Sequence, residues 1–199
     1  MKISIQRMIT ICFATNNKNK LAEVRAKIGS RFNILSLNDI GCFEELPETK
    51  DTIEGNSEQK ASYVFNKYHV NCFADDTGLE VSALNGAPGV YSARYAGTGC
   101  TSEDNMSKLL SELKGVKNRK ASFKTCITLI FEGKKHIFTG EVKGFILEER
   151  TGEKGFGYDP IFMPEGYNVS FAQMSIEEKN AISHRGVAVG DLADFLQHV

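Results

Sequence analysis

The hydrophobic pattern of this chain changes period partway along, and that change restricts the available folds more than any other feature. From Ala121 onward, Phe123, Thr125, Ile127, Leu129 and Phe131 alternate with their neighbours, the period-two signature of a strand. Residues 132–134 (Glu-Gly-Lys) turn the chain and His136 to Leu147 returns, so the spacing predicts a long antiparallel pair. Upstream the pattern is different. Met8 to Ala14 is a short β-branched apolar run that reads as a buried strand. Residues 17–29 follow with Leu21, Val24 and Ile28 on one helical stripe ending at Gly29. Ile34 to Leu37 reads as a second strand and the acidic stretch Glu44 to Asp51 as a loop. Asn56 is placed to cap a helix carrying Ala61, Val64, Phe65 and Tyr68 at i, i+3, i+4 and i+7. Cys72 to Ala74 forms a short strand that runs straight into Asp75, Asp76, Thr77 and Gly78, and Asn85 to Gly89 is rich in turn residues. Thr101, three residues before Asp104, opens like a capping box, with Met106, Leu109, Leu110 and Leu113 on one face behind it. A glycine-rich loop spans Gly152 to Asp159, and helical pattern runs from about Ser175 to the end. Strand–helix units, then a hairpin, then a helix make an α/β fold: a mixed central β-sheet with flanking helices. No Pro/Gly/Ser linker divides the 199 residues, which predicts a single domain with residues 1–7 as a short extension.

Composition removes several classes of partner. Lys and Arg number 24 against 25 Asp and Glu, for a net charge of −1. That balance argues against a broad basic face for a nucleic-acid polymer, while leaving room for a small, concentrated phosphate site. No apolar stretch approaches the ~18 residues of a membrane span, and the N-terminal run is too short and interrupted for a signal peptide. The expected location is the cytoplasm, with no membrane partner. The five cysteines fall at nearly even intervals, but their flanks share nothing and no pair is spaced as CxxC. They read as reduced core thiols.

Four stretches carry chemistry. Thr15 to Lys20 lies where a strand hands over to a helix, a place whose free N–H groups and dipole favour an anion. Thr15, Asn17 and Lys20 add hydroxyl, amide and ammonium donors suited to a polyphosphate; a solvated helix cap is the plain alternative. Asp75 and Asp76 are adjacent, and side chains that alternate along a strand cannot both enter the core. Two like charges so close are unfavourable without a cation. A hard metal such as Mg²⁺ resolves this, bound by one or two carboxylates and substrate phosphates; otherwise one Asp caps a helix and the other is solvated. Glu48, in the acidic loop, is placed to complete such a site. Gly155 to Pro160 sets two glycines around Phe156, whose ring offers a face for a planar base or fills a tight turn. On one unbroken helix Lys179 and His184 would sit about 140° apart. Ser183 is a plausible N-cap, so a break is expected there, with His184 and Arg185 in the first turn of the last helix. Positive side chains there oppose the helix dipole, a placement that points to a ligand.

Taken together and in order, these stretches resemble a known family. Thr15-x-Asn17-x-x-Lys20, Asn56-x-x-x-Lys60-Ala61, Ala74 to Leu79, Gly86 to Tyr95, Gly155 to Phe162, and Lys179 with Ser183, His184 and Arg185 are similar to the motifs of the inosine/xanthosine triphosphate pyrophosphatases. The likeness runs from about Ile9 to Leu196. It implies a two-lobed single domain, a homodimer, Mg²⁺, and hydrolysis of ITP, dITP and XTP to the monophosphate and pyrophosphate. It further implies that Thr15, Asn16, Asn17, Lys18, Asn19 and Lys20 hold the triphosphate together with Lys60. By the same resemblance Asp76 is the proton acceptor and a metal ligand, forming the catalytic pair with Lys60, and Glu48 is the other metal-binding carboxylate. Thr77, Phe156, Gly157, Tyr158, Asp159, Lys179, His184 and Arg185 would contact substrate, the last two near the purine. Three positions depart from the family pattern: Asn16 and Lys50 where Gly is common, and Gly55 where Glu is common.

The chemistry suits such residues. A triphosphate carries about four negative charges, which Mg²⁺, Lys20, Lys60 and helix-start amides neutralise. Phosphoryl transfer is mostly positioning and charge stabilisation, so no nucleophilic Cys or Ser is required. Hypoxanthine and xanthine accept a hydrogen bond at the C6 oxygen, where His184 and Arg185 are placed to donate; adenine would leave such donors unpaired.

Overall fold

The structure, a computed structural model, describes residues 9–28 and 32–199. The extension over residues 1–7, Met8 as the start of the first strand, and Gly29 as the end of the first helix lie outside them. The described strands are β1 (Ile9–Phe13), β2 (Phe32–Leu35), β3 (Cys72–Val81), β4 (Pro88–Gly89), β5 (Lys120–Phe131), β6 (Lys134–Ile146) and β7 (Phe162–Pro164). The helices are α1 (Lys18–Ile28), α2 (Ile53–Tyr68), α3 (Ser102–Glu112), α4 (Ile176–Ile182) and α5 (His184–Leu196). One sheet runs in the order β2-β1-β3-β5-β6-β7, with β4 on β3. β1 is parallel to β2 and β3, and the remaining pairs are antiparallel. The sheet is therefore mixed, as the change of period implies.

The long hairpin forms where expected. Glu132 and Gly133 both take positive φ, 50° and 77°, the geometry that lets a two-residue loop follow the twist of its strands. Alternation holds only at the start of β5. From Thr125 to Ile130 every residue is buried, and Phe131 is only partly so. The reason is that both faces are covered. Ile127 and Leu129 pack with Ala188, Val189 and Leu192 of α5, while Ile130 joins Ala61 and Val64 of α2 on the other side. A third core gathers Met106 and Leu109 of α3 with Leu79, Phe123, Phe162 and Phe171 at the far end of the sheet.

Three elements differ from what the sequence predicts. The second strand is Phe32–Leu35 rather than Ile34 to Leu37. Asn56 does not cap α2: Thr52 does, its Oγ1 accepting from the N–H of Gly55 at 3.0 Å. β3 does not end at Ala74. It pairs with β5 from Cys72 through Val81, so Asp75 and Asp76 sit mid-strand, where the ladder continues past them and their side chains leave on opposite faces. The capping box of Thr101 and Asp104 and the break at Ser183 form as read. Ser183 Oγ accepts from the N–H of Gly186 at 3.0 Å. A Cβ at Gly140 of β6 would overlap the carbonyl oxygen of His184. Only glycine there lets the start of α5 lie directly on the sheet. All five cysteines are free, with Cys100 half-buried and the others buried. Burial pushes the Cys12 and Cys72 thiols up to about 12, as befits inert core residues.

Candidate active site

A cleft of about 480 Å³ opens between the α3 core and the rest of the sheet. It is lined by Thr15, Asn16, Asn17, Lys20, Glu48, Lys60, Asp76, Thr77, Phe156, Gly157, Tyr158, Asp159, Lys179, His184 and Arg185. Lys18 and Asn19, expected with them, are exposed and line no part of it. Successive positions of α1 point about 100° apart, and the turn that aims Lys20 inward leaves those two outside.

The entry to α1 is built by its own side chains. Asn17 Oδ1 accepts from the N–H of Asn19 at 2.9 Å and of Lys20 at 3.2 Å, and Thr15 Oγ1 accepts from the N–H of Asn17 at 3.1 Å. With its carbonyl oxygen turned to the helix, the Asn17 amide NH₂ is left to donate elsewhere.

Behind this loop runs a series of buried charges of alternating sign. Lys20 Nζ lies 3.0 Å from Asp75 Oδ1, and Asp75 Oδ2 accepts from Arg185 Nε at 3.1 Å. Arg185 Nη1 donates to Glu23 Oε2, and its Nη2 donates to Thr77 Oγ1 at 3.1 Å. Glu23 Oε1 accepts from Lys179 Nζ at 2.6 Å, and that ammonium also reaches Asp159 Oδ2 at 2.7 Å. Asp159 in turn accepts from the N–H of Phe156 at 2.7 Å, tying the glycine-rich loop to the series. Burial opposes ionisation of Asp75, but Lys20 and Arg185 outweigh it and hold the carboxyl below the usual range. Glu23 is likewise held low by Arg185 and Lys179 against its burial. Of the two adjacent carboxylates, Asp75 is thus relieved by two protein cations rather than by a metal. Arg185 has all three nitrogens engaged and presents its guanidinium plane 5.6 Å from the centre of the Phe156 ring. His184 stacks on Phe123 with centroids 4.7 Å apart. Burial, reinforced by Arg185 and Lys179, drives its pKa well below the ordinary value. The ring is therefore neutral near pH 7, and its buried Nδ1 has no hydrogen-bond partner among the described residues.

On the other face of β3 stands a smaller group. Lys60 Nζ donates to Glu48 Oε1 and lies 3.5 Å from Asp76 Oδ1. Arg94 Nη1 approaches Glu48 Oε2 at 4.0 Å from the rim. Asn56 Nδ2 donates to Asp76 Oδ2 at 3.3 Å, and Asn56 Oδ1 accepts from the N–H of Lys50 at 2.8 Å. Burial raises the pKa of Asp76 by more than Lys60 and Lys20 lower it, with Glu48 and Asp75 adding to the rise. Among the described residues no three His, Cys, Asp or Glu side chains gather as a metal cage. Two carboxylates facing a shared cleft still fit a hard divalent ion that takes its other ligands from water and phosphate oxygens.

Two residues that support the site carry no assigned role in the sequence pattern. Glu23 is a charged residue next to an apolar stripe, and nothing local marks it as buried; its partners come from α4 and α5. Ser92 lies inside the Gly86 to Tyr95 motif without an assigned role; its Oγ accepts from the N–H of Leu79 and donates to the carbonyl of Gly89, bracing the wall of the cleft.

Comparison with known proteins gives concordant findings. The model of the Ham1 family matches residues 11–195. A dITP/XTP pyrophosphatase of Flavobacterium johnsoniae is 59% identical over 186 residues, covering 94% of this chain and 97% of that protein. One from Porphyromonas gingivalis is 52% identical, covering 95% and 98%. Among solved structures, the Staphylococcus aureus Ham1 protein superposes with a TM-score of 0.86 at 37% identity, over 95% of this chain and 98% of that one. A HAM1 protein from Coxiella burnetii gives 0.87 at 34% identity, over 96% and 100%.

Proposed function

This chain belongs to the Ham1 family, and on that premise we propose that it hydrolyses ITP, dITP and XTP to the nucleoside monophosphate and pyrophosphate. The observation that carries the reading is the corner formed by Asp76, Lys60 and Glu48, open to the same cleft as Lys20 and the entry to α1.

In this reading the triphosphate lies against the α1 entry, where Thr15, Asn16 and Asn17 donate and Lys20 and Lys60 supply positive charge. Water attacks the α-phosphorus in line with departing pyrophosphate. Asp76, with a raised pKa, orients that water and takes up its proton. Lys60 steadies Asp76 and offsets charge on the leaving group. Glu48 and Asp76 would hold a divalent ion, Mg²⁺ in our proposal, which when bound supplies further neutralisation of the phosphate oxygens. The base lies toward Phe156, Gly157, Tyr158 and Asp159. Neutral His184 donates to a C6 oxygen, and Arg185 and Lys179 flank the Phe156 ring. An adenine amino group would meet a donor with a donor, which disfavours ATP. The same reading takes the protein to be a cytoplasmic homodimer. Among the described residues no helix is long and apolar enough to cross a membrane.

The test is pyrophosphate release with a divalent ion from ITP, dITP and XTP beside ATP, GTP and the pyrimidine triphosphates. Preferential turnover of the first three is expected. Preference for ATP or UTP would overturn the purine reading, and binding without turnover of any nucleotide would make the protein a sensor.

A further inference from the structure

Asn56 is 1% exposed and sits in the first turn of α2, one turn before Lys60. Both side chains reach Asp76, and both also reach the acidic loop: Lys60 through Glu48, Asn56 through the backbone of Lys50. The amide has no freedom in how it does this. A backbone N–H can only donate, so the atom facing Lys50 must be the amide oxygen, and the NH₂ must face Asp76. An NH₂ group can only donate, so Asp76 Oδ2 is fixed as an acceptor.

We propose that Asn56 is a positioning residue for hydrolysis, fixing the rotation of the Asp76 carboxylate and holding the loop that bears Glu48 in register with it. The proposal rests on the functional reading above. One amide thus couples the two carboxylates that serve the reaction, though it is turned away from the cleft itself. Glutamine would reach too far, and serine too short, to keep both bonds.

Asn56→Asp separates the two bonds. It still accepts from the N–H of Lys50 but no longer donates to Asp76. Asn56→Ala loses both. With dITP as substrate, Asn56→Asp is expected to lower kcat about 10²-fold, the cost of misplacing a reacting group by about 1 Å, with KM within about threefold. Asn56→Ala is expected to lose at least as much kcat and to raise KM as well. If the amide merely pins the loop, Asn56→Asp will keep kcat within about threefold of wild type, and the proposal fails. A variant Asn56→Asp without a cooperative melting transition also overturns it, since the amide is then a folding element. If the wild-type protein releases no pyrophosphate, the functional reading falls first. A crystal structure of Asn56→Asp then decides the positioning role: a rotated Asp76 carboxylate beside an intact Lys50 bond supports it, and an unmoved one contradicts it.

Discussion

Behind the cleft, Lys20, Asp75, Arg185, Glu23, Lys179 and Asp159 alternate in sign along unbroken contacts, three cations against three anions. Across β3, one buried ammonium, Lys60, stands between Asp76 and Glu48, and the exposed Arg94 reaches Glu48 only at 4.0 Å from the rim. The two groups share a strand and differ in purpose. A buried series in which each charge has opposite neighbours is rigid, and it orients Lys20, Arg185 and Lys179 before any ligand arrives. The corner keeps two carboxylates around one buried ammonium and opens to the cleft. It is set to receive a cation and a proton. Charge paired in the interior here makes scaffold, and charge left open to the cleft makes chemistry.

The comparison breaks most visibly at Asp76. Asp76→Asn is expected to lower kcat by about 10²–10⁴-fold, the usual worth of a general base, while leaving the melting temperature nearly unchanged. A large loss of stability with modest loss of turnover would assign Asp76 to the scaffold instead. Glu23→Ala is the converse. It removes one carboxylate from each of the buried Lys179 and Arg185, which keep Asp159 and Asp75, and urea denaturation should show a loss of about 3–5 kcal/mol. A loss below ~1 kcal/mol, the scale of exposed pairs, would show that the series is not needed to hold the fold.

Acid sharpens the same contrast with a smaller effect. Asp75 and Glu23 are held below their ordinary values, so the folded state binds fewer protons than the unfolded chain in that range. Their contribution is complete above the unfolded values, about 3.9 and 4.3, and is lost as pH falls through that region toward the folded values. The urea midpoint should therefore drop steeply below about pH 4, and less so in Glu23→Ala; equal slopes would contradict the assignment. At the bottom of the scale, Lys135→Ala removes an exposed pair between β6 and Glu58 of α2 and should cost about 1 kcal/mol at most.

Much of this was legible in the sequence, for physical reasons that also explain the omissions. The mixed sheet followed from the change of period, and the break at Ser183 from a cap residue ahead of charges that oppose a helix dipole. Both are local patterns. Asn56 was misassigned because Asn caps helices so often; Thr52 held that place, and only the tertiary fold shows the amide turned toward Asp76. Alternation along β5 faded at Thr125 because α2 and α5 cover both faces, which no window on β5 reveals. Asp75 and Asp76 diverge as the alternation of a strand implies, yet the partners of Asp75, Lys20 and Arg185, come from opposite ends of the chain. Glu23 carried no signal at all. Charge pairing across so many residues is written in three dimensions.

The central claim is that the cleft presents the α-phosphorus of a nucleoside triphosphate to water held at Asp76. Hydrolysis of dITP in water enriched in heavy oxygen tests it most directly. Attack at the α-phosphorus places the label in the nucleoside monophosphate and leaves pyrophosphate unlabelled. Label in the pyrophosphate, or release of orthophosphate in its place, would contradict the account.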